Sequence, residues 1–281
     1  MAQSRYEARL DRVIDYIHAH IEEDLRFETL AEIACLSAYH WHRIYVAMRG
    51  ETIAATIRRL RLLRAADRLA NSEMPLASVA QRARYGSTDA FAHAFKEAYG
   101  MTPMAYRANG SHAAFKVANR EGDSNGFPIF VETLPSIRCA AVAHQGPYIQ
   151  IDHAMGQLFS QLLAQGLMPS EPRMMALFFD DPDLVPQNQL RSQACLPISE
   201  DIALAPPLLD TVLRGGCYAR LRYKGPYADM KNAYRWLFGV WLPSSGYEAE
   251  EAPAFEAYLN DPRDTSPQDL LTDIHLPLKA L

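Results

Sequence analysis

Glu256 is the residue whose setting most invites chemistry. It interrupts an apolar stretch, Ala254-Phe255-Glu256-Ala257-Tyr258-Leu259. Period-2 alternation puts Glu256 and Tyr258 on one face of a strand and Phe255, Ala257 and Leu259 on the other. A carboxylate turned into a groove there is costly unless a partner neutralises it. One such partner is a cationic aromatic ligand, because ten of the chain's 28 aromatic residues fall between Tyr218 and Tyr258 and rings attract cations. The other is a structural ion pair with Arg220 or Arg222. Tyr234, Leu237, Phe238 and Trp241 follow helix-core spacing, which leaves Trp236 off that stripe as a groove or rim residue. A second cluster is basic: Arg58, Arg61, Arg64 and Arg68 lie mostly off the apolar stripe Ile53, Ile57, Leu60, Leu63 and Leu69, and arginines so grouped suit phosphate. His40 and His42 have no convergent partners for a metal. No nucleophile-base-acid set, phosphate loop or cofactor motif occurs, so no catalytic residue, metal or cofactor is expected.

The elements that must position these groups begin with composition. The chain has 281 residues and a net charge of −5, enough length for two domains with their own cores. Residues 1–112 hold 15 Lys and Arg against 13 Asp and Glu, and 14 of the bases are arginine, while the remainder holds 13 against 20. Arginine suits bidentate phosphate and guanine contacts. No apolar run approaches the ~18 residues of a membrane span, and the opening MAQSRYEARLDRV lacks the apolar core of a signal peptide. Cys35, Cys139, Cys195 and Cys217 have neither metal nor redox spacing, which points to buried thiols and a cytoplasmic location.

Leu30–Gly100 says nearly the same thing twice. Leu30-Ala31 and Ile33-Ala34 are answered by Leu76-Ala77 and Val79-Ala80, an offset of 46, and Trp41, Tyr45 and Gly50 by Phe91, Phe95 and Gly100, an offset of 50. The second turn is thus expected to be four residues longer. Each copy reads as a short helix, a turn and a longer helix ending at glycine, a duplicated helix-turn-helix. Leu10, Val13, Ile14, Ile17 and Ile21 give a packing helix before the first copy. Thr29 is read as an N-cap or first-turn residue, Ser37 caps the helix to Arg49, and Thr52–Asn71 joins the copies. LAEIACLSAYHWHRIYVAMRG and STDAFAHAFKEAYGMTPMAYR resemble the two motifs of AraC-type transcription regulators. The resemblance implies promoter DNA and RNA polymerase as partners. Its motif positions make Tyr39, His42 and Arg43 groove candidates in the first reading helix, and Thr88, Asp89, His93 and Lys96 in the second, with Arg58, Arg61 and Arg64 on phosphate. Two residues depart from the pattern. His93 replaces a common arginine, and Arg84 occupies a turn-glycine position, so either that turn is reshaped or Gly86 carries the unusual angle.

Periodicity lapses over Ala108–Phe127, an expected linker between domains at 1–108 and 128–281. A second duplication follows. His144-Gln145-Gly146-Pro147-Tyr148 matches Tyr223-Lys224-Gly225-Pro226-Tyr227 and Leu158-Phe159 matches Leu237-Phe238 at offset 79, whereas Asp181-Pro182 matches Asp261-Pro262 at offset 80. Each unit reads strand, turn, helix, strand, strand: Ile137–His144, Arg173–Phe179 and Ala194–Ile198, then Leu209–Tyr223 (broken near Gly215-Gly216), Ala254–Leu259 and Thr272–Leu278. Two such units make an antiparallel sheet with helices on one face and a groove at the pseudo-twofold seam. The two Gly-Pro-Tyr turns, FEAYLNDP and LTDIHLPL resemble the GyrI-like ligand-binding domain. The expected fold is therefore multidomain, an all-α double helix-turn-helix followed by a duplicated β-α-β-β α+β sheet domain. The resemblance implies a small-molecule effector, with Glu256 as anchor and Tyr258, Trp236, Tyr148 and Tyr227 around it. Some relatives of this domain are hydrolases, which leaves an enzyme as the alternative to a ligand-responsive regulator.

Overall fold

The structure, a computed structural model, describes residues 2–36, 38–109 and 126–279. The expected cap Ser37 and most of the expected linker lie outside them. The chain divides into a helical unit and a sheet unit.

The helical unit runs α1 (Ala2–Ala19), α2 (Phe27–Ile33), α3 (Ala38–Arg49), α4 (Ile53–Asn71), α5 (Leu76–Arg82), α6 (Thr88–Tyr99) and α7 (Pro103–Asn109). Leu10, Val13, Ile17 and Ile21 pack on Leu30, Ala31, Ala34, Trp41 and Tyr45, with Ile53 and Leu60 of α4 closing this first cluster. Leu62, Ala65, Ala66 and Leu69 of the same helix close a second cluster against Val79, Ala80, Ala83, Phe91, Phe95 and Tyr106. One helix therefore serves two cores from different sides. Thr52 caps α4 and Ser87 caps α6, each side chain accepting a backbone N–H at 3.1 Å, worth about 1 kcal/mol apiece. Arg26, not Thr29, occupies the N-cap of α2, so Thr29 is a first-turn residue.

Both helix pairs share one turn geometry, and it corrects the expected register. Leu36 N–H donates to Ala31 O and Cys35 N–H to Glu32 O, as Tyr85 N–H does to Ala80 O and Arg84 N–H to Gln81 O. These paired bonds are a Schellman ending, with left-handed backbone at Cys35 (φ 51°) and Arg84 (φ 62°). Leu30, Ala31 and Ala34 thus correspond to Val79, Ala80 and Ala83, an offset of 49 rather than 46. The second turn is longer by one residue, not four. Arg84 itself, and not Gly86, carries the unusual angle.

The sheet unit holds eight antiparallel strands: β1 (Ile129–Leu134), β2 (Ile137–Gln145), β3 (Met175–Phe178), β4 (Arg191–Pro197), β5 (Leu209–Leu213), β6 (Gly216–Lys224), β7 (Ala254–Tyr258) and β8 (Leu271–Leu278), in the order β1-β6-β8-β7-β3-β4-β2-β5. The sequence pattern did not reveal β1, whose partner β6 lies in the other unit of the duplication. Likewise β5 pairs with β2 of the first unit. Only Pro135 and Ser136 join β1 to β2, yet six strand-to-strand steps separate them in the sheet. Laid flat, those steps would span about 29 Å, whereas the link reaches at most about 11 Å. The sheet must curl until its ends meet. The link between β5 and β6 (Arg214, Gly215) imposes the same condition, and a Cβ on Gly215 would lie 2.7 Å from the Ser136 N. Cys139, Met175, Leu177, Cys195, Leu213, Tyr218 and Phe255 fill the inner face.

Helices cover the outer face. In the first unit α8 (Asp152–Ala164) packs Ala154, Leu158 and Leu162 on Ala140, Ala194 and Leu196. In the second unit the helix is interrupted. It runs α9 (Met230–Trp236), a π-helical stretch Leu237–Trp241, then α10 (Leu242–Ser245). Leu158 and Leu237 are 79 apart, but the left-handed glycines ending the helices, Gly166 and Gly246, are 80 apart. The extra residue falls where the π turn can absorb it.

Gly215→Ala is expected to destabilise the protein by about 1–3 kcal/mol, because the new methyl has only backbone to displace. Chemical denaturation of the variant checks this.

Candidate effector site and DNA-reading surface

Strand register puts one carboxylate into an apolar row. Leu221, Ile274, Glu256, Ala176 and Ala194 stand side by side on the helix-covered face of β6, β8, β7, β3 and β4. Glu256 is only 5 % exposed and faces Ala176 directly across the seam. The Tyr234 hydroxyl donates to Oε1 and the Tyr258 hydroxyl to Oε2, both at 2.8 Å. Burial raises the Glu256 carboxyl to about 7, against the partial offset of these two hydrogen bonds. Burial and the neighbouring carboxylate in turn push the Tyr234 phenol well above its usual value.

The alternative ion pair with Arg220 or Arg222 does not form. Those arginines register with His275 and Asp273 on the opposite face of the sheet. There Arg220 pairs with Glu132 at 2.6 Å, and Arg222 pairs with Asp273. A pleated strand cannot turn them toward Glu256.

Of the expected walls, Tyr258 is in place and Trp236 is not. Trp236 is fully buried, edge-on to Phe127 at 5.5 Å, so it is core rather than rim. Tyr234, expected in the core, is the residue of α9 that reaches the acid, and Phe238, also expected in the core, is 46 % exposed. Tyr148 stands with its ring against Phe178 at 4.7 Å while its hydroxyl accepts the Asp180 N–H and donates to the Asp180 carbonyl. Tyr227 holds the matching place in the 3-10 turn Tyr227–Asp229. The duplication contains a signal that would have found Tyr234: its counterpart is Met155, as that of Glu256 is Ala176 and that of Tyr258 is Phe178. Each of these three polar residues replaces an apolar residue of the first unit. Beside them the buried Thr272 hydroxyl has no hydrogen-bond partner among the described residues, whereas its counterpart Ser192 bonds His144 at 2.9 Å.

In the helical unit, α3 presents exposed Arg43 with half-buried His42 beside it, while Trp41 and Tyr45 are buried. Of Tyr39 only its place in the first turn of α3 is described. On α6, Asp89, His93 and Lys96 form an exposed stripe next to half-buried Thr88, and Phe91 and Phe95 are core. The α4 arginines divide differently from expectation. Arg61 donates to Ile21 O at 2.9 Å and Glu23 O at 2.8 Å, and Arg64 to His18 O at 3.0 Å. They satisfy carbonyls at and beyond the C-terminal end of α1, groups that helix geometry leaves unpaired. Their guanidinium groups are therefore structural donors before they are phosphate ligands. Arg58 is exposed and pairs with Glu97. Thiol burial is also uneven: Cys139 and Cys195 are buried, the former pushed up to about 12, but Cys35 is exposed.

A tandem helix-turn-helix unit with a curled, duplicated sheet around one buried acid defines a two-domain protein that joins a DNA-reading fold to a small-molecule-binding fold. The chain belongs to the GyrI-like family: the model described as a GyrI-like small molecule binding domain matches residues 127–279. A helix-turn-helix domain model matches residues 30–109. The regulatory protein PocR of Salmonella typhimurium is 30% identical over 102 residues, 36% of this chain and 34% of that protein. The DNA gyrase inhibitor of Yersinia enterocolitica is 33% identical over 123 residues, 42% of this chain and 77% of that protein. The chain spans about a third of the length of the first curated regulators it matches. Among solved structures, the EcmrR–DNA complex aligns over 96% of this chain and 99% of that one, with TM-score 0.49 and 12% identity. No described helix is long and apolar enough to cross a membrane.

The raised Glu256 value has a defined sign. Stability from the neutral acid is fully present below about pH 4.5 and is lost as pH rises through about 7. Glu256→Gln is expected to match the parent near pH 4.5 and to be more stable by up to about 3 kcal/mol near pH 8. Thermal melts at the two pH values measure it.

Proposed function

We propose that the chain is a cytoplasmic, ligand-responsive transcription regulator. Residues 1–108 bind promoter DNA, residues 128–281 bind an effector, and 109–127 join them. The single observation that carries the sensing half is Glu256, a buried acid with both oxygens held by tyrosine hydroxyls and no salt bridge among the described residues, Arg138 on the same face being engaged by Asp210. An effector that is cationic and aromatic supplies the missing charge and stacks on Tyr258, Tyr234 and Tyr148, and the Thr272 hydroxyl offers it a neutral hydrogen bond. The site is read as one that binds rather than turns over its ligand, in keeping with the helix-turn-helix domain on the same chain. Arg43, Tyr39 and His42 on α3, and Thr88, Asp89, His93 and Lys96 on α6, are the reading residues, with RNA polymerase as the downstream partner. The named relatives, a regulatory protein among them, support the reading half.

Affinity for cationic aromatic dyes should rise with pH through about 7, because the bound cation favours the ionised acid and its binding releases a proton. Glu256→Gln should flatten that profile and weaken binding by ~1.5–3 kcal/mol, with neutral dyes barely affected. Calorimetric titration in buffers of different ionisation enthalpy reads both. A dye converted to product during the titration would favour the hydrolase reading.

On the DNA side, Arg43→Ala should cost ~1–3 kcal/mol on the cognate promoter and little on unrelated sequence. Gel-shift titration on the two DNAs separates these outcomes.

A further inference from the structure

Arg84 sits where the backbone asks for glycine. It is the C′ residue of the Schellman ending of α5, with φ 62°, a region that side chains other than glycine enter at a penalty. Its side chain is exposed and makes no hydrogen bond or ion pair among the described residues, only the backbone N–H being bonded, to Gln81 O. Such strain persists where something else rewards the side chain.

What surrounds it is a concavity of about 340 Å³, lined by Ala54, Ile57, Arg58, Arg61, Arg84 and Tyr85 among others. Three arginines therefore border one small space. Arg61 is held from behind by the Ile21 and Glu23 carbonyls. Burial lowers its proton affinity, and the charge of Arg84 lowers it further. Among the described residues Arg58 is the one of the three in a salt bridge, with the exposed Glu97, while Asp24 acts on Arg61 at longer range. An anion entering the space would relieve the repulsion. The position says which anion: Glu97 lies on α6 one turn past His93 and next to Lys96, at the edge of the exposed reading stripe. A duplex along that stripe brings its backbone past the rim of the concavity.

We propose that this concavity seats a backbone phosphate of the bound DNA, with Arg84 as its principal ligand and Arg58 as the second. The proposal rests on the helical unit binding DNA. Each phosphate neutralised contributes about 0.9 to the slope of log affinity against log salt, and a seat of this kind carries no sequence information.

Arg84→Gly tests it without threatening the fold, because glycine relieves the left-handed strain. The full-length variant should melt at the same or a higher temperature. It should bind cognate and unrelated DNA more weakly by the same factor, about eightfold in ~0.1 M salt, with a salt slope shallower by about one. Arg84→Lys should keep most of the slope. An unchanged slope in Arg84→Gly, or a loss confined to the cognate sequence, overturns the seat. Melting with inorganic phosphate and no DNA adds a further arm: stabilisation of the parent that vanishes in Arg84→Gly, together with an unchanged DNA salt slope, would assign the space to a free anion and overturn the DNA assignment. The arms separate from the reading-helix assignment. If Arg43→Ala is silent while Arg84→Gly flattens the slope, the α3 reading fails and this one stands.

Discussion

Two very short links impose the constraint from which the sheet unit follows. Pro135-Ser136 and Arg214-Gly215 each connect strands that are six places apart in the sheet. A flat sheet cannot satisfy either link, so the sheet curls and its inner face closes over Phe255, Tyr218 and Leu177. Side chains fill the inner face, and on the helix-covered outer face the seam puts Glu256 opposite Ala176. Gly215 marks how tightly the two links meet, since its backbone leaves no room for a methyl group.

Within that frame, the two units depart from symmetry at the candidate site. Two copies of one unit would give two equal half-sites, and the first unit keeps the apolar version with Met155, Ala176 and Phe178. The second unit places Tyr234, Glu256 and Tyr258 at the same positions and inserts one residue into its helix just beyond Tyr234. The insertion is absorbed as a π turn, leaving Tyr234 in the regular turn before it. Placing a carboxylate in the row carries a stability penalty above neutral pH, which the two tyrosine hydroxyls reduce but do not remove. A site that retains part of that penalty when empty favours whatever neutralises the charge.

The helical unit shows the same division between scaffold and site. Arginine on α4 looks like a uniform basic face in sequence, yet Arg61 and Arg64 reach the carbonyls at the end of α1, and Arg68 pairs with Glu22. The packing helix is thus tied to the joining helix by the very residues whose composition suggests phosphate. Exposed cations include Arg43 on α3, Lys96 on α6 and Arg84 in the second turn, with Arg58 of α4 exposed beside its partner Glu97.

Much of this was legible in the sequence because it depends on local periodicity. The helix stripes, the two Gly-Pro-Tyr turns, the break before Gly216 and the polar Glu256 on an apolar strand are each set within a few residues. The duplication even contained Tyr234, opposite Met155, although helix-core spacing assigned it to the interior. What sequence could not decide were matters of partner and register. Matching Leu-Ala pairs misaligned the helix-turn-helix copies, since identical letters outweighed the backbone bonds from Leu36 and Tyr85 that define the turn. Trp236 reads as a rim residue until Phe127, more than a hundred positions away, covers it. β1 is invisible as a strand without β6 beside it. Whether Arg220 reaches Glu256 depends on which face each strand turns, and only the pairing of β6, β8 and β7 fixes that. Local spacing determined the elements and named the acid. The tertiary structure alone chose its partners, because a side chain's neighbours across a sheet are set by strand order and not by distance along the chain.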